Sequence, residues 1–331
     1  MQRISNDQLN ELEKIVTKLP LPVISKYLMI ETGIEWRYIS QAVRKAKMPM
    51  VPGSIAKILC KFVSKNLTPE ELAETVSKFR LILTASQDRT WHVIILNEPI
   101  SGNPVNMLSD VLTSRIRKIL RSIESKKSLN AQFQVGTMKL GDLIYISVQM
   151  KSTLKDGPVL YIATPPGQPV ALVSSVRSWL LKHCVRGLGY QTFENALLHG
   201  KDKDSLLRAH NPMENEVADH LAERPEYRPI PCITRGGIDY TGMTNDEEYV
   251  KRILGPNPPI LTELSITTEK DIYDPTEGRT RRMKMTFELK SKNIAKTLQE
   301  WVAKGAIAPT SELFYIFNEI KSNKIMIDNN N

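Results

Sequence analysis

The run SRIRKILRSIESKKSLNAQFQVGTMKLGDLIYISVQM, Ser114 to Met150, changes its hydrophobic period midway. In its first half, and just ahead of it, Leu108, Leu112, Ile116, Ile119 and Ile123 fall on one face of a helix at about 100° per residue. Arg117 and Arg121 project opposite that face, with Lys118 beside them and Arg115 at its edge. Residues 114–128 hold six basic side chains and one acid, Glu124. The second half alternates or runs apolar over short stretches. AQFQV, LIYISVQM, PVLYIA and PVALVSS are β-rich and are parted by Gly, Pro or Lys-Asp-Gly turns. A helix with a cationic outer face, followed by an antiparallel meander that packs on it, makes the fold class α+β.

Toward the N-terminus the periodicity is helical throughout. Leu9, Leu12, Ile15, Val16 and Leu19 make one amphipathic stripe, capped at Ser5 or Asn6 and ended by Pro20. VISKYLMI, YISQAVRKA, SIAKILCKFVSK and TPEELAETVSKFRLIL continue the pattern, and Thr68, Pro69 and Glu70 are good helix-start residues. Residues 1–85 therefore form a small helical bundle, and the apolar run WHVIIL opens the middle region.

Beyond the meander, the stretch from Val176 to His210 is mostly helical in pattern, broken at Gly187 and Gly189. The segment near 222–236 is rich in Pro, Arg and Gly without periodicity and marks a domain connection. After it come a helix, NDEEYVKRIL, and two strands, LTELSITTE and RRMKMTFELK, predicted as a hairpin. In the second of these Met283, Met285, Phe287 and Leu289 alternate with Lys284, Thr286, Glu288 and Lys290. A helix with Ile294, Leu298, Trp301 and Val302 inward stops at Gly305. ELFYIF and NKIMI read as two closing strands, which sit inside their own sheet or add to a partner's. The domains are 1–85, 86–225 and 226–331.

The 331 residues carry a net charge of +9, unevenly spread. Residues 1–210 hold 29 Lys and Arg against 17 Asp and Glu, whereas residues 211–331 hold 16 against 19. Such asymmetry points to a polyanion as the partner of the N-terminal two-thirds. No apolar run is long enough to span a membrane, and the first residues lack a secretory pattern, so a cytoplasmic or nuclear location is expected. Cys60, Cys184 and Cys232 are far apart and without CxxC spacing, which predicts free thiols rather than a disulfide framework or structural zinc.

Catalytic signatures are missing from the pattern. His92, His183, His199, His210 and His220 show neither HExxH nor paired metal spacing. RGLGYQT has Thr192 where a dinucleotide loop needs its third glycine, and the Gly200-Lys201 pair lacks the first glycine and the Ser or Thr of a phosphate loop. Asp246, Glu247 and Glu248 stand at a helix start, where carboxylates complement the macrodipole. No enzyme activity, metal or cofactor is expected.

Three places resemble the centromere protein N family. RMKMTFELKSKNIAKTLQEWVAKGAIAPTSELFYIFNEIKSNKIMI is similar to the family's C-terminal end. The run from Ser114 through PVLYIATPPGQPVALVSS resembles its L/N homology domain. LEKIVTKLPLPVISKYL resembles the opening helix of its pyrin-like domain, with Lys18 and Pro20 in the Lys-x-Pro step. The likeness covers nearly the whole chain and lies in order and spacing. It implies a pyrin-like bundle, an antiparallel-sheet-plus-helices L/N homology domain and a C-terminal antiparallel sheet with a packed helix. It also implies an inner-kinetochore scaffold at the centromere in the nucleus, serving chromosome segregation. Such a scaffold binds nucleosomal DNA and pairs with centromere protein L alongside other inner-kinetochore subunits.

On matching positions, Lys14, Lys18, Lys118 and Lys201 would face phosphate. The residue pattern alone adds Lys45, Lys47, Lys61, Arg117 and Arg121. The family's acidic positions that read the centromeric histone variant fall on Asn6 and Asn10, with Asp7 and Glu11 one residue away. The partner interface implied by the resemblance takes in Met283, Met285, Phe287, Leu313, Phe314, Ile316, Ile325 and Ile327. Two alternatives stand beside this reading: a pure protein-interaction adaptor, and a nucleic-acid-processing enzyme whose site assembles from distant carboxylates.

Overall fold

A computed structural model of the protein describes residues 6–100, 109–127, 131–152, 156–210, 226–227, 232–234, 237–239, 246–276, 278–318 and 320–328. The fold is mixed α+β, and most of its strand pairs are antiparallel. It divides into two compact units, residues 1–88 with 96–193, and residues 89–95 with 194–331.

The first unit begins with five helices, α1 (Asn6–Thr17), α2 (Leu21–Thr32), α3 (Trp36–Lys45), α4 (Pro52–Asn66) and α5 (Pro69–Ser86). Their apolar stripes converge on Leu12, Ile24, Leu28, Ile39, Val43, Ile55, Leu59 and Phe79, all fully buried. The start of α5 is fixed by a capping box. The Thr68 hydroxyl accepts from the Glu71 amide, and the Glu71 carboxylate accepts from the Thr68 amide at 2.8 Å.

The rest of this unit is built on a sheet of order β2-β3-β4-β5-β1-β6, whose strands are β1 (Trp91–Pro99), β2 (Ala131–Leu140), β3 (Leu143–Ser152), β4 (Leu160–Thr164), β5 (Val170–Val173) and β6 (Tyr190–Gly200), of which Trp91–Ile95 and Glu194–Gly200 belong to the second unit. The predicted meander is present, with β2, β3, β4 and β5 joined in antiparallel register. Register also sets the layers. On β2, Gly136 meets Ser77 of α5, and Met138 and Leu140 pack on the bundle core, so the even positions face α5. Thr137 bonds Thr113 of α6 (Ser109–Lys127), so the odd positions face α6. The sheet is thus covered on both faces here, which is why β3 does not alternate and buries seven successive residues, Leu143 to Gln149, Ser147 and Gln149 included.

A buried arginine ties these layers. Arg80 of α5 donates to the Glu11 carboxylate of α1 and, at 3.0 Å, to Gln149 Oε1 of β3. Gln149 in turn donates to the Gly157 carbonyl at 3.0 Å. On the other face, α6 buries Leu112, Ile116 and Leu120. Ile119, expected inward, lies at the margin because the i, i+4, i+8 row runs through Leu120. Leu108 and the side chain of Ile123 lie outside the described residues.

Helix α7 (Trp179–Leu188) crosses α6 where Gly187 meets Ile116. A Cβ on Gly187 would collide with Ile116 Cγ1 and stand 3.2 Å from Ile116 Cα, a backbone atom that cannot rotate away. Gly187→Ala is expected to destabilise the protein by about 1–3 kcal/mol through helix displacement. A thermal melt followed by circular dichroism checks this, and an unchanged midpoint would show that the crossing is loose.

The stretch after Gly189 is a correction to the sequence reading. YQTFENALLHG was expected to be helical and is strand β6, followed by helix α8 (Lys203–His210). Gly189, at φ 97°, ends α7 in the left-handed conformation and turns the chain into the sheet.

In the second unit, β9 (Glu263–Asp274) and β10 (Arg279–Lys290) form the predicted hairpin, in register from Glu263–Lys290 to Asp274–Arg279. A second correction concerns ELFYIF, expected as a strand and found as helix α11 (Glu312–Asn318). Phe314 and Phe317 share one face of that helix and are fully buried, a pairing that a strand's period of two would split. The final strand β11 (Lys324–Asp328) lies parallel to β9 at the sheet's edge, giving the order β10-β9-β11.

Helices α9 (Asp246–Leu254) and α10 (Ile294–Ala303) supply Tyr249, Val250, Ile253, Leu298 and Val302 to the core. Trp301, expected inward, is half-buried. A short hairpin, β7 (Cys232–Thr234) with β8 (Gly237–Asp239), completes the unit. The connection expected near 222–236 lies mostly outside the described residues.

Asn323, nearly inaccessible, knits β6 to β9. Its Oδ1 accepts from the His199 amide at 2.7 Å, its Nδ2 donates to the Glu263 carbonyl, and its own amide and carbonyl bond Leu197 and Ser265. Among the described residues no helix is long and apolar enough to cross a membrane.

Candidate nucleic-acid interface

The bundle's outer surface is cationic because of a stretch that sequence reasoning used only in part. Residues 36–66, which form α3, α4 and the turn between them, carry seven Lys and Arg and no acid. On α4, Lys57, Lys61 and Lys65 recur at i, i+4 and i+8, all exposed. Among the described residues no carboxylate pairs with them. Only Lys61 was anticipated, although the acid-free run was the signal that could have found the other two.

Helix α1 packs beside α4 and adds Lys14, with Lys18 just past its end, both exposed. Lys45 and Lys47 flank the end of α3, exposed as well, and Lys47 takes a left-handed φ of 53° in the turn. Arg44 and Lys45 also complement the negative end of the α3 dipole.

The structure does not place all the anticipated cations on one face. Arg117, Lys118 and Arg121 are exposed on α6, which covers the sheet face opposite the bundle. Arg117 is partly committed, since its Nη2 donates to the Val135 carbonyl at 3.0 Å. Lys201 is exposed in the second unit, in the turn between β6 and α8.

Of the histone-reading positions, Asn6, Asp7 and Asn10 are exposed on α1. Glu11 is the partner of Arg80, which a sequence reading could not foresee because 69 residues separate the two.

The anticipated partner residues divide in the same manner. Met283, Met285 and Phe287 are 43%, 56% and 41% exposed along β10, an edge strand. Leu313, Ile316 and Ile325 are half-buried. Phe314 is core and is withdrawn as an interface residue. The side chain of Ile327 lies outside the described residues.

Other titratable groups are accounted for locally. Burial pushes the Cys60 thiol up to about 11 and the Cys184 thiol to about 12, as expected of free structural thiols. Cys232 has its side chain outside the described residues. Asp246, the first residue of α9, accepts from the Tyr227 hydroxyl at 2.6 Å, which holds that phenol up to about 12. His92 and His199 have ring centroids 5.6 Å apart, and His199 Nε2 stands 3.5 Å from Glu263 Oε2. Burial, then the His199 charge, lowers the pKa of His92. Among the described residues no three His, Cys, Asp or Glu side chains are placed to hold a metal ion. A small open cleft, with room for little more than a water molecule, is lined by Leu96, Leu112, Ile144, Pro165, Pro166 and Tyr190 among others.

The chain matches no protein-family model and no curated protein.

Proposed function

We propose that this chain is a non-enzymatic scaffold that grips nucleosomal DNA through phosphate contacts and joins the inner kinetochore by pairing with centromere protein L. The observation that carries the reading is the acid-free run 36–66 with Lys57, Lys61 and Lys65 in one exposed row on α4, the helix against which α1 packs. A row of lysines on one rigid helix, in a run without a carboxylate, suits sequence-independent contact with a polyanion. The resemblance to the centromere protein N family, pyrin-like bundle and L/N homology domain included, supplies the biological setting: the nucleus, at the centromere. For the heterodimer, β10 stands at the edge of its sheet among the described residues and carries an apolar row of Met283, Met285 and Phe287, the chemistry of strand addition.

The test is a salt-resolved titration against naked duplex, ordinary nucleosomes and nucleosomes carrying the centromeric histone variant. The expected log–log slope is roughly −3 or steeper, about 0.9 per neutralised phosphate. Equal binding to both nucleosomes is expected, because Glu11 is held by Arg80 and Asn6 and Asn10 are uncharged. A preference for the variant would assign its reading to Asp7. The exposed β10 row also favours a second reading, an adaptor without DNA contact, and undetectable duplex binding at low salt would establish it.

A further inference from the structure

Helix α7 presents a surface whose composition differs from the lysine row on α4. Its inner face is complete without its first residue, since Leu180, Leu181, Cys184, Val185 and Leu188 are all buried. The remaining positions, Trp179, Lys182, His183 and Arg186, follow at i, i+3, i+4 and i+7 and make one outer stripe. Trp179 is 46% exposed. Its ring is held edge-on between two others, with centroids 6.0 Å from Phe133 of β2 and 5.9 Å from His183. Lys182 and Arg186 stand exposed on the same stripe. Residues 157–193 contain no Asp or Glu.

We propose that Trp179, braced by Phe133 and His183 and followed along the stripe by Lys182 and Arg186, is a stacking platform for unpaired nucleobases of a single-stranded nucleic acid. A large rigid ring fixed by its neighbours loses little freedom on stacking, and every base has a face to offer it. The cations one and two turns further along the stripe meet the phosphates that follow the stacked base, so the site combines the two contacts that single-strand binding needs. Duplex DNA keeps its bases inside the stack and cannot use the indole. The lack of carboxylates over residues 157–193 matches a polyanion and adds no repulsion toward it. This substrate differs from the duplex of the proposed function, and the site faces away from the α4 row across the sheet, so the two readings stand or fall separately.

The experiment uses the full chain and a short fluorescein-labelled oligouridylate, which has no secondary structure, alongside an abasic strand of the same length and charge and a duplex. Trp179→Ala is expected to weaken oligouridylate binding about tenfold or more, the scale of one stacked base. Trp179→Phe should recover most of that loss. The abasic strand should bind the native protein about as weakly as oligouridylate binds the alanine variant. Lys182→Gln with Arg186→Gln should lower the salt slope by about 1.4, at about 0.7 per contact on a single strand. Duplex affinity should stay unchanged in the Trp179 variants. Native-like oligouridylate binding by Trp179→Ala would overturn the proposal. Equal binding of abasic and base-bearing strands by the native protein would overturn it too, leaving a cationic surface suited to an acidic protein.

Discussion

Phe314→Ala is expected to destabilise the protein by about 3–5 kcal/mol, the range for emptying a fully buried phenylalanine site. At roughly 3 °C per kcal/mol, the transition of the second unit should fall by about 10 °C. The loss should be local in hydrogen exchange, with amides of β9 and β10 losing protection while those of α4 keep theirs, because Phe314 packs within residues 194–331. Phe287→Ala is the matched control. That ring is 41% exposed on the edge strand, so its removal should change stability by less than about 1 kcal/mol. On the proposed function it should nevertheless weaken the heterodimer. If Phe314→Ala melted like the native protein, α11 would not be the core helix described above. The contrast also decides how the interface is to be tested. Removing residues 306–331 would take out Phe314, Phe317, Ile320 and Asn323 together, and loss of a partner would then follow from loss of the fold.

The two elements misread from sequence show where local pattern stops being informative. ELFYIF is rich in β-formers, yet Phe314 and Phe317 are three residues apart and can share a buried face only in a helix. YQTFENALLHG errs in the opposite direction. Glu194, Ala196, Leu197 and Leu198 favour helix, but the left-handed Gly189 redirects the chain into the sheet, and Leu197 adopts φ 53° to bend the strand. Elements with long unbroken periodicity were legible: the five helices of the bundle, the meander and the β9–β10 hairpin. The covered faces of the sheet were legible in principle, since LIYISVQM does not alternate and a strand buried on both faces has no reason to.

The candidate site was legible in its charge and hidden in its geometry. Arg117, Lys118 and Arg121 announced a cationic helix, but only register on β2 reveals that α6 stands on the other face of the sheet from the bundle. Glu11 looked available until Arg80 was found against it. Long-range pairs of this kind leave no trace in a local window.

The largest functional effect is expected from reversing the α4 row. With Lys57→Glu, Lys61→Glu and Lys65→Glu together, up to three phosphate contacts become repulsions, and duplex affinity at about 0.1 M salt should fall on the order of a hundredfold or more. The log–log salt slope should shrink by up to about 2.7, at about 0.9 per contact. All three side chains are exposed and belong to no ion pair among the described residues, so the melting midpoint should move little. The comparison that gives the result its meaning is the α6 set, Arg117, Lys118 and Arg121. Arg117 already donates to the Val135 carbonyl, and the helix lies across the sheet from α4, so a short duplex that touches the bundle should be indifferent to reversal there. A loss confined to the α4 variant places the grip on the bundle. A loss confined to the α6 variant moves it to the opposite face, and equal partial losses require DNA long enough to pass both. An unchanged slope in both would remove phosphate contact from the account and leave the exposed β10 row as the working surface.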